Sequence, residues 1–167
     1  QFISFLYIIA GQKETSKKHL DIALSINPLS DEMHFFKAYF HYMIEEYQDA
    51  LEMLDRCLSA NDKNIPAHYV KTLCLLKLGK YNEVINYFDT IPADVVIQGE
   101  KTGSIGLAYA LSQDVENTAL YMEQLVKQAK SPDGFQADSF LFLIHAVMGE
   151  NDKAFEWVSQ AIKDRKS

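Results

Sequence analysis

Glu45-Glu46-Tyr47-Gln48-Asp49-Ala50-Leu51-Glu52-Met53-Leu54-Asp55-Arg56-Cys57 is answered 34 positions later by Gly79-Lys80-Tyr81-Asn82-Glu83-Val84-Ile85-Asn86-Tyr87-Phe88-Asp89-Thr90-Ile91. Tyr47 falls in register with Tyr81, Ala50 with Val84, Leu54 with Phe88 and Cys57 with Ile91. The lattice extends both ways. Gly11 precedes Glu45 and Gly79 by the same step, and a 35-residue step then reaches Asp114 and Gly149. Ser16, Ala119 and Ala154 share the register of Ala50, and Ala23, Val126 and Ala161 that of Cys57. A period near 34 residues with two helices per unit predicts an all-α, right-handed solenoid, because no unit buries its apolar face alone and neighbours must stack. The chain is therefore expected to be a single domain of five helical hairpins, with repeats near 1–30, 31–64, 65–99, 100–134 and 135–167.

Punctuation supports this reading. The chain has seven Gly and four Pro among 167 residues, placed mostly between periodic segments. Asn27-Pro28 stops a helix that runs through Ser16, Leu20 and Leu24, since proline cannot continue it and biases its predecessor away from helical dihedrals. Ser30 or Asp31 is placed to cap the next helix, which is predicted to reach about Met43, with Tyr47 to Ala60 returning. Pro66 suits the first turn of a helix ending at Leu78 and Gly79, and Tyr81 to Thr90 forms its partner. Between Pro92 and Gly106 the pattern is loosest, with glycines at 99, 103 and 106. Leu107 to Ser112, Val115 to Lys130, Phe135 to Met148 and Asn151 to about Asp164 read as helices again. Small residues such as Ala38, Ala50, Ala154 and Ala161 mark where paired helices cross, with Leu20, Leu54, Phe88 and Val158 filling the grooves.

Composition excludes several functions. Nearly half the residues are hydrophobic, which suits a continuous core. A formal charge of −7 repels phosphate backbones and anionic lipid, so neither nucleic acid nor membrane is an expected partner. Cys57 and Cys74 lie in apolar helical pattern and read as buried reduced thiols of a cytoplasmic protein. The apolar run Phe2 to Ala10 is too short to span a bilayer and lacks the flanks of a signal peptide. With no initiator Met and a helical pattern already under way, the sequence reads as a segment of something longer.

No chemistry-bearing motif emerges. Gly99-Glu100-Lys101-Thr102-Gly103 lacks the four-residue spacer of a phosphate loop. There is no nucleophile elbow, and no carboxylate pair stands out from the solvated helix faces. His19, His34, His41, His68 and His145 come without an acidic or cysteine cluster at ligand spacing. No catalytic residue, metal site or cofactor is expected, and the chain reads as non-enzymatic.

These residues resemble tetratricopeptide repeats. The second and third units carry the resemblance best through Ala38, Tyr47, Ala50 and Leu54, then Gly79, Tyr81 and Phe88. Tyr7, Gly11, Leu20, Ala23 and Pro28 match in the first unit, and Gly149, Ala154, Trp157 and Ala161 in the fifth. The fourth departs from the pattern, with Glu116 and Glu123 at usually apolar positions. Asp138 to Arg165 is similar to the last repeat of tetratricopeptide regions attached to bacterial signalling proteins, among them transcription regulators and class III adenylate cyclases.

The resemblance implies a scaffold that holds a protein or peptide on a concave face built from the first helix of each hairpin. The matching positions are Phe5, Ile8 and Ile9, then Phe35, Tyr39, Tyr42 and Met43, then Tyr69, Leu73, Leu76 and Lys77. That stripe is aromatic and aliphatic, so an apolar peptide, an amphipathic helix or another domain of the same chain is the expected partner. Chaperone-type carboxylate clamps need Lys and Asn where Phe35, Tyr39, Tyr69 and Leu73 stand, so that specificity is excluded. Self-association through the Phe2 to Ala10 helix, as a homodimer, is the second expectation; an accessory domain of a larger enzyme such as an adenylate cyclase is the third.

Overall fold

The computed structural model describes residues 11–130 and 136–164, with only the backbone given for Asp164. Among them are nine α-helices and no strand. They are α1 Lys13–Ile26, α2 Asp31–Met43, α3 Tyr47–Ala60, α4 Ile65–Lys77, α5 Tyr81–Tyr87, α6 Gln98–Leu111, α7 Val115–Ala129, α8 Ala137–Val147 and α9 Asn151–Asp164. The expected N-terminal helix and its Phe5 lie outside the described residues. The helices gather into two compact units, one of residues 11–78 with Ile91–Val95, the other of Gly79–Thr90 with residues 96–164.

In the first unit α2 packs against α1, α3 and α4, and α3 also packs against α4. Its core is Leu20, Met33, Ala38, Phe40, Ala50, Leu51, Leu54, Cys57, Ala67, Val70, Cys74 and Leu75. The alanines at 38, 50 and 67 have no exposed surface, as close helix crossings require. The 34-residue period reappears as bonds. Ser30 and Asn64 cap α2 and α4, their side-chain oxygens accepting from the N–H of Met33 and Ala67. The Nε2–H groups of His34 and His68 donate to the carbonyls of Pro28 and Asp62, 2.9 and 2.8 Å away. Lys37 reaches Asp21 across α1 and α2, and Lys71 reaches Asp55 across α3 and α4, each at 2.6 Å.

In the second unit α6 packs against α5, α7 and α8, and α8 against α7 and α9. The glycine-rich stretch corrects the sequence reading. Helix starts at Gln98, well before Leu107, and the glycines are interior residues of α6. A β-carbon on Gly103 would fall 2.1 Å from the ring of Phe140, and one on Gly106 would meet Tyr121 and Ile144 at 3.0 and 3.2 Å. Their helix-weakening character is offset by the close approach of α8 to α6 that a bare backbone allows. In α7, the irregular Glu116 and Glu123 are exposed while Thr118 and Leu125 turn inward.

The turns ahead of α1, α3, α5, α7 and α9 each place one residue in the left-handed region: Gly11, Glu45, Gly79, Gln113 and Gly149, with φ between 64° and 77°. The fourth is Gln113, not Asp114; Asp114 instead caps α7 through the Asn117 N–H. At Glu45, Gln113 and Gly149 the turn closes with the following N–H reaching back five residues: Glu46 to His41, Asp114 to Tyr109 and Glu150 to His145.

Candidate functional site

The predicted recognition residues are carried by α2 and α4 of the first unit. Thirteen residues of α2 place Phe35, Tyr39 and Tyr42 three or four positions apart, so their rings rise along one face. Phe35 and Tyr39 have ring centroids 6.2 Å apart, and Tyr39 and Tyr42 are 6.1 Å apart. The ladder continues across the turn to Tyr47 at the start of α3, 5.9 Å from Tyr42. These separations are those of favourable aromatic pairs.

Phe35, Tyr39, Tyr42 and Tyr47 are half-buried, and Tyr69 on α4 is exposed. The Tyr42 hydroxyl is pushed above its ordinary range, first by burial and then by Cys74, Tyr47, Tyr69 and Tyr39 around it. Tyr42 is thus the meeting point of α2, α3 and α4. Leu73 is half-buried, and Leu76 is buried at 8% exposure and so offers little surface to a ligand. Met43 is exposed at the end of the same helix. Tyr47 is the member that reading α2 and α4 alone leaves out; its aromatic identity two residues past the turn is the signal for it.

A separate hollow of about 630 Å³ in the same unit is lined by Pro28, Leu29, His34, Glu52, Asp55 and Arg56. Its charged rim distinguishes it from the aromatic face.

Burial pushes the Cys57 and Cys74 thiols up to about 11 and about 12, so both are inert at neutral pH. They are free thiols. Glu100 in α6 is 5% exposed, and burial raises its carboxyl to about 7.

The histidines correct one expectation. His41 and His145 are buried as packing rings, yet each Nδ1 also bonds a carboxylate across its turn, Glu46 at 2.7 Å and Glu150 at 2.6 Å. Contrary to the sequence reading, acids do gather at one of them: donor atoms of His41, Glu46 and Asp49 all lie within 4.8 Å of one another. The signal in the sequence was a turn of five residues that folds back on itself, which linear ligand spacing does not reveal.

Tandem helical hairpins with small residues at their crossings define an all-α repeat protein. Residues 12–91 match the model of the family described as anaphase-promoting complex, cyclosome, subunit 3, a tetratricopeptide-type repeat family. The fold is similar to that in the crystal structure of MamA, with a TM-score of 0.66 and 16% identity, over 98% of this chain and 95% of that one. No curated protein matches the sequence. Residues 12–91 match a tetratricopeptide-type repeat family, and the described chain as a whole has the helical fold of such repeats. Among the described residues no helix is long and apolar enough to cross a membrane.

Proposed function

We propose that the chain acts by binding rather than by catalysis, holding an apolar or amphipathic segment of a protein on the face made by Phe35, Tyr39, Tyr42 and Tyr69. The observation that carries this reading is the continuous aromatic ladder from Phe35 to Tyr47, which stays partly open to solvent instead of closing into the core. Rigid aromatic rings contribute large contact area at small entropic cost, which is why they dominate binding energetics at such surfaces. A helical ligand would present residues at i, i+3 or i+4 and i+7 to the ladder. A cytoplasmic regulatory role within a larger bacterial signalling protein, which the resemblance of the C-terminal repeat implies, belongs to the same proposal. So does Leu73 as an edge of the face.

Selection of peptides displayed in random sequence against the protein tests this. Recovered binders are expected to carry apolar residues at helical spacing. Their affinity for a Tyr39→Ala/Tyr69→Ala variant with unchanged helical circular dichroism should fall by about 2 kcal/mol or more, as for hot-spot truncations. Binders indifferent to the double substitution would remove the ladder from the account.

A further inference from the structure

We propose that His41, Glu46 and Asp49 form a binding site for a divalent cation of the zinc class, at the turn between α2 and α3. One imidazole nitrogen and two carboxylates are a donor set such an ion accepts, with water completing four-coordination. His41 is 8% exposed, and its ring is held against the turn, whose Glu46 N–H donates to the His41 carbonyl at 2.9 Å. Glu46 and Asp49 are exposed and rotate freely enough to close from 4.8 Å onto a common ion, which zinc's ligand bonds of about 2.0–2.2 Å require. The ion would replace the hydrogen bond between Nδ1 and Glu46, with the imidazole proton on Nε2.

The other hairpins supply an internal comparison. The pair formed by the residue before the second helix and the residue three further on is bonded at three other turns. Lys80 meets Glu83 at 3.2 Å, Asp114 meets the Asn117 amide at 2.8 Å, and Glu150 meets Lys153 at 3.0 Å. Each joins an anion to a cation or an amide. Only the turn at Glu46 and Asp49 sets two carboxylates there, and among the described residues no Lys or Arg pairs with either. The last hairpin has the same buried histidine and the same glutamate, His145 and Glu150, with the Lys153 ammonium standing where Asp49 stands in the second. A positive charge that one copy takes from its own lysine is what the other copy's geometry calls for from solution.

Titration of the purified protein with zinc chloride, followed by calorimetry and by the thermal midpoint, tests the site. One saturable equivalent at submillimolar affinity and a zinc-dependent rise in the midpoint are expected. Asp49→Lys, which writes the last hairpin's residue into the second, should abolish both while leaving the metal-free midpoint equal or higher. Lys153→Asp should create a second saturable equivalent. The proposal is overturned if the protein takes up no saturable zinc below millimolar concentration, or if Asp49→Lys binds zinc as the parent does. Glu46→Gln, an exposed change that leaves the core untouched, gives the same discrimination should Asp49→Lys fold poorly: unweakened binding again overturns it.

Discussion

At the scale of single residues, two positions work against the fold's stability. Glu45 adopts φ 66° at a turn position that Gly11, Gly79 and Gly149 occupy elsewhere in the register. A side chain in the left-handed region is strained by its β-carbon, while glycine is not. Glu45→Gly is therefore expected to stabilise the protein by about 0.5–1 kcal/mol after allowing for the glycine's greater unfolded freedom, read as a higher urea midpoint. A lower midpoint would show that the Glu45 side chain contributes more than its strain costs. Glu100 is the second. Its carboxyl titrates near 7 when folded, against 4.5 as its ordinary value. Between those values the folded state holds a proton that the unfolded state has released, so stability falls as pH rises through that window. The penalty is absent below it and complete above it, amounting to about 3 kcal/mol at most. Comparing urea midpoints at pH 5 and pH 8 for the parent and Glu100→Gln checks this. The variant's gain over the parent should be several-fold larger at pH 8 than at pH 5, near the foot of the window; equal differences at both pH values would mean the carboxylate is hydrated.

Among the elements, α6 shows how an ill-fitting sequence still makes a helix. Glycines at 103 and 106 lower its intrinsic propensity by roughly 1 kcal/mol each relative to alanine. Packing offsets this, because Gly103 and Gly106 let Phe140 and Ile144 of α8 press against the backbone. Phe140 is 5% exposed. Gly103→Ala, favourable by propensity, should instead destabilise the second unit by about 1–3 kcal/mol through overpacking. A thermal midpoint that rises would show that the propensity gain outweighs the clash. The aromatic ladder is an element-scale property too: helical spacing aligns Phe35, Tyr39 and Tyr42, and the turn brings in Tyr47.

For the whole molecule, cohesion is between neighbours in sequence. In the first unit the α2–α3 hairpin packs on α4 and in the second the α6–α7 hairpin packs on α8, and repeat proteins built this way lose structure locally before they lose it globally. The cost of Gly103→Ala should therefore appear as faster amide hydrogen exchange in α6, α7 and α8, with α2, α3 and α4 keeping their protection. Uniform acceleration across both units would contradict nearest-neighbour cohesion and point to a single cooperative fold. The proposed binding face and the proposed ion site both sit in the first unit, where the 34-residue register is most regular in its caps, histidine bonds and ion pairs.

By itself the sequence determined the all-helical class, the hairpin period and most helix ends. Those depend on local causes that act wherever the residues occur: alternating apolar faces, proline's missing donor, and side-chain oxygens at Ser30 and Asn64 that satisfy the first N–H groups. Tertiary structure alone decided the rest. It made a helix of residues 98–106, because the reason for glycine there is the ring of Phe140 nearly forty residues away. It moved the left-handed turn residue to Gln113, buried Leu76 and left Tyr69 open, and folded Glu46 and Asp49 back onto His41. Contacts of that kind depend on which surfaces meet, and a linear pattern carries the period of a helix but not the identity of what lies against it.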